Sequence, residues 1–279
     1  MRDRKRKMGK VYLVGAGPGD PGLLTLKARD LIAAANCVIY DYLVNPQILD
    51  HASSRAERIY VGKRGMEGSW TQNEINRLMV EKAREHAVVV RLKGGDPFIF
   101  GRGGEEAQVL VNEGIEWEVV PGVSAGSSVA AYAGIPITHR GLSSSVAFVT
   151  GHEDPAKEQS AVRWEYLARG VDTLVFFMGV ARADEISAQL VRHGRDAATP
   201  VAVIRWGTYD HQETYVGTLA ALADLVRRHR ITSPSLIVVG EVVRLREQLQ
   251  WFKSPQEVGG GLQFAEYGVP NPFFEVLAS

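Results

Sequence analysis

Cysteine is almost missing from these 279 residues: Cys37 stands alone. An intrachain disulfide is excluded, and the seven scattered histidines offer no zinc-ligand spacing around that thiol, so no metal site is expected. Cys37 opens the apolar run Cys37–Tyr40, the setting of a buried structural thiol, and a reducing cytoplasm is the expected compartment. Net charge is missing as well. Lys and Arg together number 32, as do Asp and Glu, so the chain as a whole has no field that would draw a nucleic acid or an anionic membrane. Any polyanionic ligand has to be met by cations clustered locally. Nor is there a run of about 18 apolar residues that would make a membrane-spanning helix. The basic stretch 1–7 leads into Val11–Val14, too short for a signal-peptide core; it reads as a solvated tail, with a phosphate-binding arm as the alternative. Neither a fixed-period repeat nor a long low-complexity segment is present.

What the chain does have is alternation. Short β-branched runs at Val11–Val14, Cys37–Tyr40, Ala87–Leu92 and Trp117–Val120 are separated by amphipathic stretches, which predicts βα units. Helices are expected over Leu23–Ala35, from Thr71 through Glu85, where Thr71 and Glu74 have capping-box spacing, and from about Gly103. Continuous apolar strands have no wet side, so a parallel sheet covered on both faces follows. The pattern changes after the segment Ile135–Gly141, where a linker is placed. New strands are expected at Ser145–Thr150, Thr173–Met178, Pro200–Trp206, Glu213–Gly217 and Leu236–Gly240, with helices over Asp184–His193 and Thr218–His229. This second half reads as another α/β unit with an antiparallel pair. The division is therefore 10–140, 145–250 and an extension 251–279, whose Gly259–Gly261 and Pro270–Pro272 suggest an extended tail with a few aromatic contacts.

Three glycine-rich segments follow strands. Gly15–Asp20 lets backbone approach a ligand closely, yet Pro18 and Pro21 remove donors that a phosphate cradle would use; a tight turn without ligand stands beside the binding reading. The segment Val90–Glu106 crowds five glycines around Asp96, Lys93 and Arg102. Ligands of open parallel sheets bind beyond the carboxyl ends of strands, so this loop and the first are expected to border one crevice. Asp96 there has three readings: a partner for ribose hydroxyls, a counter-ion for a sulfonium, or a turn-forming Asp-Pro. In the third segment Ser124 is a helix cap or a ligand contact at the start of a small-residue helix.

Taken together, Gly15-Ala-Gly-Pro-Gly-Asp20, Tyr40-Asp-Tyr-Leu-Val44, Gly62-Lys-Arg64, Leu92-Lys-Gly-Gly-Asp-Pro-Phe98, Phe100-Gly-Arg-Gly103 and Gly134-Ile-Pro-Ile-Thr-His-Arg140 resemble, in order and spacing, the uroporphyrinogen-III C-methyltransferase family. The likeness continues through Val149–His152, Thr173–Gly179, Gly207–Thr208, Gly217–Leu219 and Ser233–Pro234, covering about residues 10 to 245. The resemblance implies a two-domain tetrapyrrole methyltransferase fold, α/β but not of the Rossmann type, with S-adenosyl-L-methionine in the inter-domain cleft and S-adenosyl-L-homocysteine as its product. It places the cofactor against Pro18, Gly94, Gly95, Asp96, Ile99, Ser124, Ala125, Met178 and Gly207. Asp41 becomes a candidate proton acceptor and Lys63 a proton donor. A homodimer is implied too. The stretch Gly65–Trp70 departs from the family pattern.

A uroporphyrinogen presents eight carboxylates around an electron-rich ring, so the substrate pocket needs cations, for which Arg64, Arg102, His139 and Arg140 are candidates beside Lys63. Relatives acting on later corrinoid precursors share the cofactor motifs, but Gly62–Arg64 and the extent of the match point to uroporphyrinogen itself. RNA-modifying relatives find no support in the balanced charge. The later dehydrogenase and ferrochelatase steps toward sirohaem are expected to belong to other proteins.

Overall fold

The computed structural model describes residues 8–62, 70–151 and 161–253. In the first half, β1 (Lys10–Gly15), β2 (Cys37–Tyr40), β3 (Glu57–Tyr60), β4 (Val88–Lys93) and β5 (Trp117–Val120) form one sheet in the order β3-β2-β4-β1-β5. Every pairing is parallel, as the apolar strands predict. Both faces are dry. Val11, Leu13, Ile39 and Val89 pack beneath α2 (Gln72–Glu85) and α3 (Gly103–Asn112); Val14, Val38, Val90 and Leu92 pack beneath α1 (Leu26–Ala34) and the turn of helix Pro46–His51. The capping box forms: Thr71 Oγ1 accepts from Glu74 N at 3.3 Å and Glu74 Oε2 accepts from Thr71 N at 2.7 Å.

Two local expectations differ. The first helix starts at Leu26 rather than Leu23, because Pro21–Leu23 closes its own short turn and Thr25 caps the helix by accepting from Ala28 N. β3 has no apolar run to announce it: its residues Glu57 and Arg58 are exposed, as befits an edge strand protected by charge.

The second half contains α4 (Ala125–Tyr132), β6 (Val146–Thr150), α5 (Trp164–Gly170), β7 (Thr173–Phe177), α6 (Ala183–Arg192), β8 (Pro200–Arg205), β9 (Glu213–Thr218), α7 (Leu222–Arg228), β10 (Ser235–Val239) and α8 (Arg246–Leu249). Its sheet runs β6-β7-β10-β8-β9; β6 and β7 are parallel, and the other three pairings are antiparallel, where one antiparallel pair is expected from sequence. α4 follows β5 in the chain but buries Val129, Ala130 and Ala133 against Val175, Ala202, Ile204 and Val238 of the second sheet. The connection between sheets thus starts directly after β5. Beyond Gln250, Trp251 donates its Nε1–H to Ala131 O at 3.0 Å and lies against Tyr132 with Phe252, the aromatic contacts expected of this segment.

Cys37 is wholly buried at the start of β2, and burial pushes its thiol up to about 12. Ellman's reagent at pH 8 is therefore expected to leave the native protein unmodified and to titrate the thiol only after unfolding; prompt reaction of the native chain would contradict that burial.

Candidate active site

β4, β1 and β5 lie side by side and point the same way, so their outgoing loops meet at one edge of the sheet. The first two loops bond to each other: Gly95 N–H donates to Gly17 O at 2.7 Å and Gly17 N–H to Gly95 O at 3.2 Å. The two loops meet at one edge of the sheet, as expected. A Cβ on Gly15 would lie 2.5 Å from Gly122 backbone, and one on Gly122 2.3 Å from Gly95 O, so the three loops meet only where side chains are lacking. Gly95 also adopts φ +67°, which favours glycine.

Asp96 ties these loops together. Its Oδ1 accepts from Phe98 N at 2.8 Å and Ile99 N at 3.2 Å, and its Oδ2 accepts from Gly122 N at 3.1 Å. Of its three sequence readings, the turn-forming one describes the bonds seen, with a cross-loop brace that sequence does not reveal. Ser124 likewise caps α4, accepting from Gly126 N at 3.2 Å.

The opposite wall comes from the second sheet. Phe100 packs against Phe177 with ring centroids 5.0 Å apart, and Tyr42 against Trp206 at 6.2 Å. Asp20 N–H donates to Thr208 Oγ1 at 3.0 Å, and Tyr132 donates its hydroxyl proton to Asp20 Oδ2 at 2.6 Å. Pro18, Gly94, Gly95, Asp96, Ile99, Ser124 and Ala125 thus lie in first-sheet loops and the head of α4, while Met178 follows β7 and Gly207 follows β8 against Val129 of α4. Large apolar side chains stay exposed at these ends, among them Leu43, Phe98, Ile99 and Met178, an apolar surface of the kind that marks binding sites. Phe100, Arg102, Met178, Trp206 and Thr208 all take positive φ; the remaining non-glycine case among the described residues, Arg230, lies elsewhere. Clustered backbone strain of this sort accompanies functional sites.

Charge is arranged at two depths. Asp41, the residue after β2, accepts from Arg91 Nη2 at 3.3 Å. Lys93 is not a solvated cation but a buried one, bonded to Glu106 Oε1 at 3.0 Å; burial first, then the neighbouring Arg91, pushes its ammonium below the ordinary lysine range. Sequence reading missed Arg91 and Glu106 altogether, because nothing local relates a strand residue to one on a helix fifteen positions later. Arg102 is exposed and paired with Glu105 through Nε at 2.9 Å and Nη2 at 2.8 Å. His139 and Arg140 are exposed in a turn closed by His139 N and Ser143 O at 3.1 Å. Lys63 and Arg64 lie outside the described residues.

Away from the crevice, at the opposite end of the first sheet, Cys37, Glu57 and His86 bring ligand-type atoms within 4.8 Å of one another, a grouping that three distant positions conceal in sequence. Glu57 is already matched by Lys82 at 3.0 Å and by His86 Nε2 at 2.9 Å.

The family model for tetrapyrrole (corrin/porphyrin) methylases matches residues 10–223. The chain belongs to that family. Among its relatives, the S-adenosyl-L-methionine-dependent uroporphyrinogen III methyltransferase of Methanosarcina barkeri is 54% identical over 86% of the chain and 94% of the relative. The siroheme synthase of Pseudomonas entomophila is 52% identical over 89% of the chain and 53% of its own length, so the chain spans about half the length of the siroheme synthases it matches. Uroporphyrin-III C-methyl transferase from Thermus thermophilus, solved in complex with S-adenyl homocysteine, superposes with a TM-score of 0.73 at 43% identity, covering 85% of this chain and all of the other. The non-Rossmann α/β architecture expected from sequence is thereby established.

Replacing Asp96 with Ala removes three hydrogen bonds to a charged acceptor, each worth roughly 1.5–3 kcal/mol. Amide hydrogen exchange at Phe98, Ile99 and Gly122 is expected to accelerate in Asp96→Ala; unchanged protection would remove the brace.

Proposed function

We propose that this chain transfers two methyl groups in succession from S-adenosyl-L-methionine to carbons of uroporphyrinogen III, giving precorrin-2 and S-adenosyl-L-homocysteine on the route to sirohaem and cobalamin. The observation that carries the reading is the convergence of the glycine loops, Met178 and Gly207 at the strand ends, beside the part-exposed Asp41 and its buried partner Arg91. The names of the relatives described above support the same substrate and donor.

The residues present fit that donor: at Gly95 a Cβ would meet nothing nearer than Ala125 N at 3.9 Å, so backbone there is open to close approach, and Ile99 and Met178 offer exposed apolar surface. S-adenosyl-L-methionine, when bound, supplies a methyl group already activated on a sulfonium. What is left for the chain is alignment. Holding carbon, methyl and sulfur in line accounts for about 7 to 11 kcal/mol in favourable intramolecular cases, and no protein nucleophile is needed. Gly94, Gly95, Ser124, Ala125 and Gly207 with Pro18 supply the cradle, and Asp96 holds its loops in register.

The reacting ring must lose a proton after methylation, and Asp41 is assigned as the acceptor with Lys63 as the donor. On the rim, Arg64, Arg102, His139 and Arg140 bind carboxylates. An exposed pair such as Arg102–Glu105 contributes only about 0 to 1 kcal/mol, so an arriving carboxylate can replace Glu105 at small cost. The proposal extends to a cytoplasmic homodimer, acting on a small molecule without nucleic-acid or membrane partners. No helix among the described residues is long and apolar enough to cross a membrane.

Incubation with uroporphyrinogen III and S-adenosyl-L-methionine, followed by mass spectrometry, is expected to add two methyl groups; binding of the donor without methyl transfer would leave only a binding module. Asp41→Asn is expected to slow turnover by about 10² to 10⁴ with donor affinity nearly intact, and a wild-type rate would take Asp41 out of the mechanism. Calorimetry on Asp96→Ala should record weaker donor binding. Undiminished affinity would contradict the cradle.

A further inference from the structure

Below the crevice the core turns polar in one place. Side chains of β4 alternate between the two cores: Val89 packs under α2 and α3, Val90 and Leu92 on the other side. Arg91 and Lys93 follow Val89 along the first face, only 3% and 4% exposed. A strand covered on both faces needs no charge for folding, and buried cations survive only with close anionic partners.

Those partners make an ordered relay. Glu106, fully buried on α3, offers a single oxygen, Oε1, to Arg91 Nε at 3.1 Å, Lys93 Nζ at 3.0 Å and Gln72 Nε2 at 3.2 Å. Arg91 Nη1 donates to Leu92 O at 3.2 Å, and Nη2 reaches Asp41 Oδ2 at 3.3 Å. The guanidinium is planar, so bonds along several of its edges fix its orientation, which an ammonium would not allow. Asp41 is thereby held by one oxygen. The other, Oδ1, is buried and has no hydrogen-bond partner among the described residues. Glu106 Oε2 is likewise buried without a partner among the described residues, but Glu106 is wholly enclosed, whereas Asp41 is part-exposed at the strand end, so of these two bare oxygens Oδ1 is the one available to something that comes with the substrate.

We propose that Arg91, clamped by Glu106, is the positioning residue for Asp41: it takes up Oδ2 and orients Oδ1 as the oxygen that receives the proton from the methylated ring. The inference rests on the assignment of Asp41 as proton acceptor. In the step, the ring C–H bond breaks and its electron pair neutralises the cation created by methylation. The proton forms an O–H bond on Oδ1, and the resulting carboxylic acid returns it to water.

A double-mutant cycle tests this on the full chain, with uroporphyrinogen III and S-adenosyl-L-methionine as substrates and donor affinity by calorimetry as the folding control. Arg91→Lys keeps the charge and loses the fork. It is expected to lower kcat by about tenfold or more while leaving both KM values and donor affinity within roughly twofold. In an Asp41→Asn background the same change should cost less than about twofold, because the residue it acts through is already disabled. Equal losses in both backgrounds, or an unaltered kcat for Arg91→Lys alone, would overturn the positioning role and leave the Asp41 assignment standing. Wild-type turnover of the single variant Asp41→Asn would instead remove that assignment and this inference with it. Should Arg91→Lys fail to fold, Glu106→Gln, which keeps the volume and weakens the clamp, carries the same cycle: loss of kcat only where Asp41 is present supports the proposal, and additive loss overturns it.

Discussion

Three parallel strands ending side by side must send their loops through the same few ångströms, and only backbone without side chains passes there. Gly15, Gly95 and Gly122 occupy that point, and a Cβ on Gly15 or Gly122 would collide with another of the loops. What is left at the surface is backbone whose spacing is set by sheet geometry, since neighbouring strands lie about 4.8 Å apart. Asp96 then braces what the strands bring close, reaching across from the β4 loop to Gly122. The proposed cradle therefore inherits its precision from hydrogen-bonded strands rather than from mobile loops.

The second sheet meets the same crevice by a different route. β7 and β8 are each antiparallel to β10, so they run in a common direction and end at a common edge. Met178 and Trp206–Thr208 come from those ends, with left-handed backbone at Met178, Trp206 and Thr208. Such conformations cost of order 1 to 3 kcal/mol each and persist only where surrounding packing over-determines them. Here α4 provides much of that packing, with Val129 against Gly207 and Gly126 against Phe177. One half contributes glycine loops set by sheet spacing, and the other strand ends held in a strained form.

Much of this was legible in the sequence wherever a signal is local. The apolar run Val11–Val14 and the run Ala87–Leu92, interrupted by Arg91, announced strands with no wet face, and the Thr71–Glu74 spacing announced a helix start. The glycine segments could be placed at one shared edge because open parallel sheets bind ligands beyond their strand ends. β3 was silent because an edge strand is half solvated and built from residues such as Glu57 and Arg58. α5 was silent too, being only seven residues long and uncapped by a side chain. The Arg91–Glu106–Asp41 relay joins β4, α3 and the end of β2, and no periodicity within one element encodes a contact between three. Asp96 could be recognised as important, but which of its bonds mattered depended on where Gly122 lay.

A neutral chain proposed to receive a polyanion must keep cations that can change partners apart from cations that cannot. Burial makes that separation. Arg102 and Glu105 are both exposed, water screens their attraction, and opening the pair costs little. Arg91 and Lys93 share a carboxylate from which water is excluded, so withdrawing either would strand charge in a dry core, at a cost of about 3 to 5 kcal/mol for a broken buried pair. Cations of the first kind can trade partners with incoming carboxylates. Those of the second kind keep fixed geometry whatever binds above them, which is the property required of groups that must orient a base.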